Sequence, residues 1–116
     1  MVAARTYVPD RGDVVWLRFD PQAGHEQTGR RPAVVLSPRT YNRKVGLALF
    51  CPVTSQVKGY PFEVPLQVGS RLEGVILADQ IKSLDWKARR ASKVTRVSQE
   101  VMAEVTALVA ALVDPG

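Results

Sequence analysis

GDVVWLRFDPQAGHEQTGRRPAVVLSP, residues 12–38, is two apolar runs held apart by a charged segment punctuated by glycine. In GDVVWLRFD (12–20), Val15, Leu17 and Phe19 alternate with Val14, Trp16 and Arg18. A period of two predicts a strand with one wholly apolar face and another that ends in solvent. PAVVLSP (32–38) is short, apolar and bounded by prolines, which predicts a buried strand. Pro32 has no N–H to give to a ladder, so it belongs at a strand start or edge. It also pushes Arg31 towards an extended backbone. Between the two strands, DPQAGHEQTGRR (20–31) has neither a helical nor a strand period. Connections of that length are usually functional or disordered.

Outward from this pair the same alternation continues. RTYNRKVG (39–46) reads as a polar connection and GLALFCPVT (46–54) as a second buried strand. SQVKGYP (55–61) reads as a loop, and FEVPL (62–66) as a strand whose proline suggests an edge. GVILADQI (74–81) is rich in β-branched residues, KSLDWKARR (82–90) is polar and basic, and ASKVTRV (91–97) alternates as a last strand. SQEVMAEVTALVAALVD (98–114) is the one clear helix. Ser98 suits its N-cap, Glu100 its first turn, and Val101, Val105, Leu108, Val109 and Leu112 its buried face. Five to seven short strands with one terminal helix predict a mainly β, small antiparallel barrel rather than a βαβ fold.

A chain of 116 residues is expected to form a single domain, residues 1–116, large enough for an ordinary core. One cysteine excludes an internal disulfide and a cysteine-based zinc cluster. Cys51 lies inside a buried strand and reads as a small core residue. The N-terminal MVAARTYVPD has no apolar leader core, and no apolar run is long enough to span a membrane, so a cytoplasmic location and no membrane partner are expected. The net charge of +5 favours an anionic partner, nucleic acid or an acidic protein, although such a charge also serves solubility.

AGHEQTGRRP (23–32) gathers His25, Glu26, Arg30 and Arg31. Cleavage of RNA without a metal needs those chemical types. A carboxylate or imidazole takes the 2′-hydroxyl proton, a guanidinium neutralises the crowded phosphoryl oxygens, and an acid protonates the departing 5′-oxygen. The same residues could equally form a solvated turn whose charges pair with one another. A single histidine and scattered carboxylates offer no metal-ligand spacing, so no metal and no cofactor are expected. There is no G-x-S-x-G elbow and no Walker or Rossmann glycine pattern. A second basic set comprises Arg39, Arg43 and Lys44, Lys58 with Tyr60, and Lys82, Trp86, Lys87, Arg89 and Arg90. Cations interleaved with rings suit single-stranded nucleic acid. The alternative is that Trp86 caps the core and the cations form a solvated face.

Taken in order, YVPDRGDVVWLRFDP, AGHEQTGRRPAVVLSP, YN, CPVTS, KGYPFEV, GVILADQIKSLDW and ARRA resemble the MazF/PemK (Kid) toxins of type II toxin–antitoxin systems, the MazF branch most. The resemblance spans about residues 7 to 97, and the terminal helix fits it. It implies a twisted SH3-like antiparallel barrel with a C-terminal helix (CcdB/Kid/MazF-like) that works as a homodimer. It implies a sequence-specific, metal-independent endoribonuclease that cuts single-stranded RNA, chiefly mRNA, leaving 2′,3′-cyclic phosphate and 5′-hydroxyl ends. A MazE-like antitoxin with a flexible acidic tail is the implied partner. Glu26 falls on the functional glutamate of the family's E-Q-x-G-x-R-P pattern, Arg31 on its arginine, and Thr54 on the threonine that accompanies it. His25 and Asp79 match residues of the PemK branch and form a second tier. Leu77 stands where that branch has an arginine, so its acid–base pair is not intact. Gln27, Thr28, Arg30, Lys58 and Gln80 are expected to contact RNA. Two other readings compete: a CcdB-like gyrase-poisoning protein, which the ending ALVDPG does not resemble, and a noncatalytic RNA-binding barrel.

Overall fold

A computed structural model describes residues 7–18, 29–68 and 72–114. The chain runs β1 (Asp13–Arg18), β2 (Arg30–Val35), α1 (Arg39–Val45), β3 (Ala48–Thr54), β4 (Glu63–Val68), β5 (Leu72–Leu77), β6 (Lys82–Leu84), β7 (Ser92–Arg96) and α2 (Gln99–Val113). The strands form one curled antiparallel sheet in the order β4-β5-β3-β2-β1-β7, with β6 attached to β3. This half-barrel with a C-terminal helix is the mainly β fold class that the strand count predicts. β4 lies at the end of the sheet, the edge position that Pro65 suggests.

Both faces of the central strands are buried, and successive residues alternate between them. On one face Val14, Val34, Cys51, Val53 and Ile76 pack with Met102 and Val105 of α2. On the other, Val15, Leu17, Ala33, Val35 and Phe50 pack beneath Trp86. Full burial of such a side chain contributes about 1.5–3 kcal/mol. α2 starts as expected, with the Ser98 hydroxyl accepting a hydrogen bond from the Val101 N–H at 3.1 Å.

The segment Arg39–Val45 is a helix and not merely the polar connection expected. Pro38 opens it, and Gly46 closes it at φ 83°, a left-handed conformation that glycine adopts without strain. Its one buried residue is Asn42. The Asn42 amide donates to Pro9 O (2.8 Å) and Ser37 O (2.9 Å) and accepts from the Ser37 hydroxyl (2.6 Å). A helix anchored by a buried amide leaves no apolar period in the sequence.

A polar cluster ties the first described residues to the far end of the chain. Asp13 is fully buried. It accepts from Arg96 Nη1 at 2.9 Å, from the Asp10 N–H at 3.0 Å and from the Tyr7 hydroxyl. Burial, together with that bond to Asp13, pushes the Tyr7 phenol well above its ordinary value. Asp10 accepts from the N–H groups of Arg39 and Arg11, each at 2.9 Å. Burial acts to raise the Asp10 carboxyl, but those N–H groups and the guanidiniums of Arg39 and Arg96 outweigh it and hold it below the usual carboxylate range.

Folding therefore favours ionised Asp10. Its contribution is complete above the unfolded value, near pH 4, and is lost as pH falls through the lower folded value. Asp10→Asn should destabilise the fold at pH 7 by about 1 kcal/mol and make stability fall less steeply below pH 4. Urea unfolding between pH 7 and pH 3 measures both effects.

Candidate active site

β3 is the hub of the sheet. One edge pairs with β2 through Ala33↔Pro52, Val34↔Cys51 and Val35↔Phe50. The other edge is shared by two partners, β6 beside Ala48–Phe50 and β5 beside Val53–Thr54. The link from β5 to β6 is longer than a continuous register needs, so it swings away from β3 and opens a gap. A groove of about 260 Å³ occupies that side of the sheet. Leu17, Ala33, Phe50 and Pro52 give it an apolar floor, while Arg31, Thr54, Gln80 and Lys82 bring polar and charged groups to it.

Register explains how Arg31 and Thr54 come together. The residue numbers of antiparallel partners keep a constant sum, so a same-face step of two residues beyond the last pair, Ala33↔Pro52, carries Arg31 and Thr54 to the same end and face of the two strands. Thr54 is fixed from its other side by pairing with Val75. Next to Val75, a Cβ at Gly74 would lie 2.3 Å from the Thr54 carbonyl oxygen, so only glycine lets β5 approach this closely. The Thr54 hydroxyl accepts from the Gln56 N–H at 3.1 Å, which turns the chain out of β3 and leaves the hydroxyl proton to donate.

A second compartment of about 260 Å³ adjoins the first and shares Thr54, Leu77 and Gln80 with it. Its other lining residues are Gln56, Lys58, Tyr60 and Glu63. The Glu63 carboxylate accepts from the N–H groups of Lys58 (2.9 Å) and Gly59 (2.8 Å), and so staples the base of this loop. Arg31, Lys58 and Lys82 put positive charge around both compartments, an arrangement that attracts phosphates.

The expected site residues therefore divide. Arg31, Thr54, Lys58 and Gln80 line the two compartments. His25, Glu26, Gln27 and Thr28 lie outside the described residues. Arg30 neighbours Arg31 in β2 and so faces the opposite side of the sheet. Its guanidinium sits 5.0 Å from the centre of the Trp16 ring, a cation–π contact. Asp79 lines neither compartment and accepts a hydrogen bond from the Tyr60 hydroxyl at 2.8 Å.

Within the basic set, Trp86 caps the core. It is 6% exposed and donates from Nε1 to Asn42 O at 3.0 Å, so its ring is not a stacking platform. Arg39 bonds Val8 O at 3.1 Å and the Asp10 carboxylate, which makes it a brace for the fold. Cys51 is a core residue; burial, with help from the Asp79 charge, pushes its thiol up to about 12. Sequence reasoning missed Gln56 and Glu63. Glu63 carried a weak signal: a carboxylate four residues after Gly59, placed to cap the amides of a tight turn.

Residues 10–113 match the family model for PemK-like, MazF-like toxins of type II toxin–antitoxin systems. The chain belongs to that family. It is 52% identical over 107 residues to the Endoribonuclease toxin MazF of Escherichia coli K12, covering 92% of this chain and 96% of that protein. It is 39% identical over 100 residues to the Endoribonuclease PemK of Escherichia coli, covering 83% and 75%. Among solved structures, MazF from Deinococcus radiodurans (form I) is 55% identical, covers 92% of this chain and 97% of its own, and superposes with a TM-score of 0.81. The MazE–MazF complex from the same organism (form III) is 52% identical, covers 92% and 97%, and gives a TM-score of 0.85.

The Glu63 staple can be checked without a substrate. Glu63→Ala should speed hydrogen exchange at the Lys58 and Gly59 amides by about tenfold, while amides in the middle of β3 stay protected. Residue-resolved exchange by NMR would report both.

Proposed function

We propose that this protein is the toxin of a type II toxin–antitoxin pair, a single-domain, sequence-specific endoribonuclease that cuts single-stranded RNA, chiefly mRNA, in the cytoplasm. The observation that carries this reading is that Arg31 of β2 and Thr54 of β3 line one groove, together with Gln80 and Lys82. Two relatives that match over most of the chain, MazF and PemK of Escherichia coli, are named endoribonucleases, which supports the same reaction class.

In the proposed reaction Glu26 takes the proton of a ribose 2′-hydroxyl. The freed oxygen attacks the adjacent phosphorus, the bond to the 5′-oxygen breaks, and that oxygen takes a proton from solvent water as it leaves. The products are a 2′,3′-cyclic phosphate and a 5′-hydroxyl. Arg31 meets the charge on the phosphoryl oxygens, bidentately if aligned. Thr54 donates its hydroxyl proton to one of those oxygens. The segment carrying Glu26 joins the ends of β1 and β2 at Arg18 and Arg30, beside Leu17 and Arg31 of the groove. His25 is a second-tier catalytic residue, and Gln27, Thr28, Lys58 and Gln80 contact RNA. Arg30 contributes to the positive field from the opposite face. Nothing in this scheme asks for a metal ion.

The basic groove also suits the acidic tail of a MazE-like antitoxin, which would compete with RNA for the same cations. MazE–MazF complexes are known for Deinococcus radiodurans proteins of this fold. A homodimer is the proposed working form. The endoribonuclease names of the relatives favour catalysis over a gyrase-binding role or a noncatalytic RNA-binding barrel.

With EDTA present, purified protein should cut a long transcript into discrete bands. A substrate whose cleavage-site ribose lacks its 2′-hydroxyl should bind and survive; equal cutting of that substrate would refute the chemistry. Arg31 is exposed, so Arg31→Ala should keep the fold and lower cleavage by about 10²- to 10³-fold. Glu26→Ala should cost a similar or somewhat smaller factor. Lys58→Ala should weaken RNA binding and reduce the slope of log affinity against log salt by about one, as titrations at several salt concentrations would show.

A further inference from the structure

The loop between β3 and β4 is exposed over most of its length and carries three groups into the second compartment: Gln56, Lys58 and Tyr60. An exposed loop of this kind does not hold a fixed wall by packing. Two hydrogen-bonded latches do so instead. Glu63 staples the loop base through the Lys58 and Gly59 amides at 2.9 and 2.8 Å. Tyr60 reaches across and donates to Asp79 Oδ1 at 2.8 Å.

Asp79 sits in the turn that follows β5, a turn closed by the Gln80 N–H on Leu77 O at 3.1 Å. The next residue, Gln80, lines both compartments. The Tyr60–Asp79 bond therefore joins the two walls of the second compartment, the loop on one side and the turn on the other. The bond to Asp79 also raises the Tyr60 phenol above its ordinary value; burial and the Asp79 charge act the same way, and a hydrogen bond with Gln80 opposes them. Tyr60 thus remains a donor at neutral pH.

We propose that Tyr60 and Asp79 are positioning residues that fix the width of the second compartment and so decide which base beside the cleaved bond the enzyme accepts. This inference rests on the ribonuclease reading. Asp79 acts through Tyr60 and takes no proton from RNA. The compartment suits a base reader, because the amides of Gln56 and Gln80 each carry a donor and an acceptor that can match the edge of an unpaired base, while Lys58 holds a phosphate.

The test compares Tyr60→Phe, Asp79→Ala and Asp79→Asn with the parent chain. Cleavage ends are mapped on a long transcript, and kcat and KM are measured on a short RNA holding one cognate site. Tyr60→Phe and Asp79→Ala should both admit extra cut sites and raise cognate KM by about tenfold, with kcat changed far less. Asp79→Asn keeps an acceptor oxygen for the phenol and should return both the cut-site set and KM towards parental values. Thermal melts would show that all three variants fold. A large loss of kcat in Asp79→Asn, with Tyr60→Phe like the parent, would make Asp79 a proton acceptor and overturn the proposal. An unchanged cut-site set and KM in Tyr60→Phe would overturn it too. A parent chain that cuts no RNA would instead remove the ribonuclease reading itself, and this inference with it.

Discussion

The pairing of β2 with β3 is the constraint on which the site depends. Antiparallel hydrogen bonds fix Ala33 against Pro52, and the pleat then dictates everything two residues further on. Arg31 and Thr54 come to the same end of the two strands on the groove side, and Arg30 is sent to the other side to stack on Trp16. A slip of one residue would exchange the two arginines. The burial of both strand faces prevents that slip: Val34 and Cys51 are fully buried on one face, and Val35 and Phe50 are essentially so on the other. The two apolar layers thus hold one guanidinium in place, a stiffer support than an exposed loop could provide.

The groove itself is a consequence of sharing. β3 gives one edge to two consecutive strands, and the link between them must leave the sheet. What leaves is the turn carrying Asp79 and Gln80, so the topology that opens the cavity also supplies its wall. Close approach of β5 at Gly74 holds Thr54 from behind. The chemistry proposed for the site is positioning and charge neutralisation, and a rigid sheet edge with a few flanking cations meets both needs.

Much of this was legible in the sequence, and the failures have a common cause. Strands with an apolar period, the terminal helix and the Ser98 cap could be read directly, because burial of apolar side chains leaves a periodic trace. α1 could not, since it is anchored by the buried amide of Asn42 and writes no such trace. The basic set looked uniform along the chain, but three dimensions divided it. Arg39 braces Asp10 and Val8, Trp86 closes the core, and Lys58 and Lys82 reach the groove. The PemK resemblance marks Asp79 only as a second-tier residue; its bond to Tyr60, nineteen positions away, is invisible to any local pattern.

By itself the sequence determined the apolar strands and their faces, the terminal helix and the family, because these depend on local periodicity and on ordered groups of residues; β6, three residues within the polar stretch 82–90, left no such period. It also marked Arg31 and Thr54 as candidate site residues through that family resemblance. Only the tertiary structure decided that Arg31 and not Arg30 enters the groove, which cations brace the fold, and that Asp79 holds Tyr60. Those outcomes turn on register, on a strand edge shared by two partners and on hydrogen bonds between distant segments, and no such quantity exists until the chain has closed on itself.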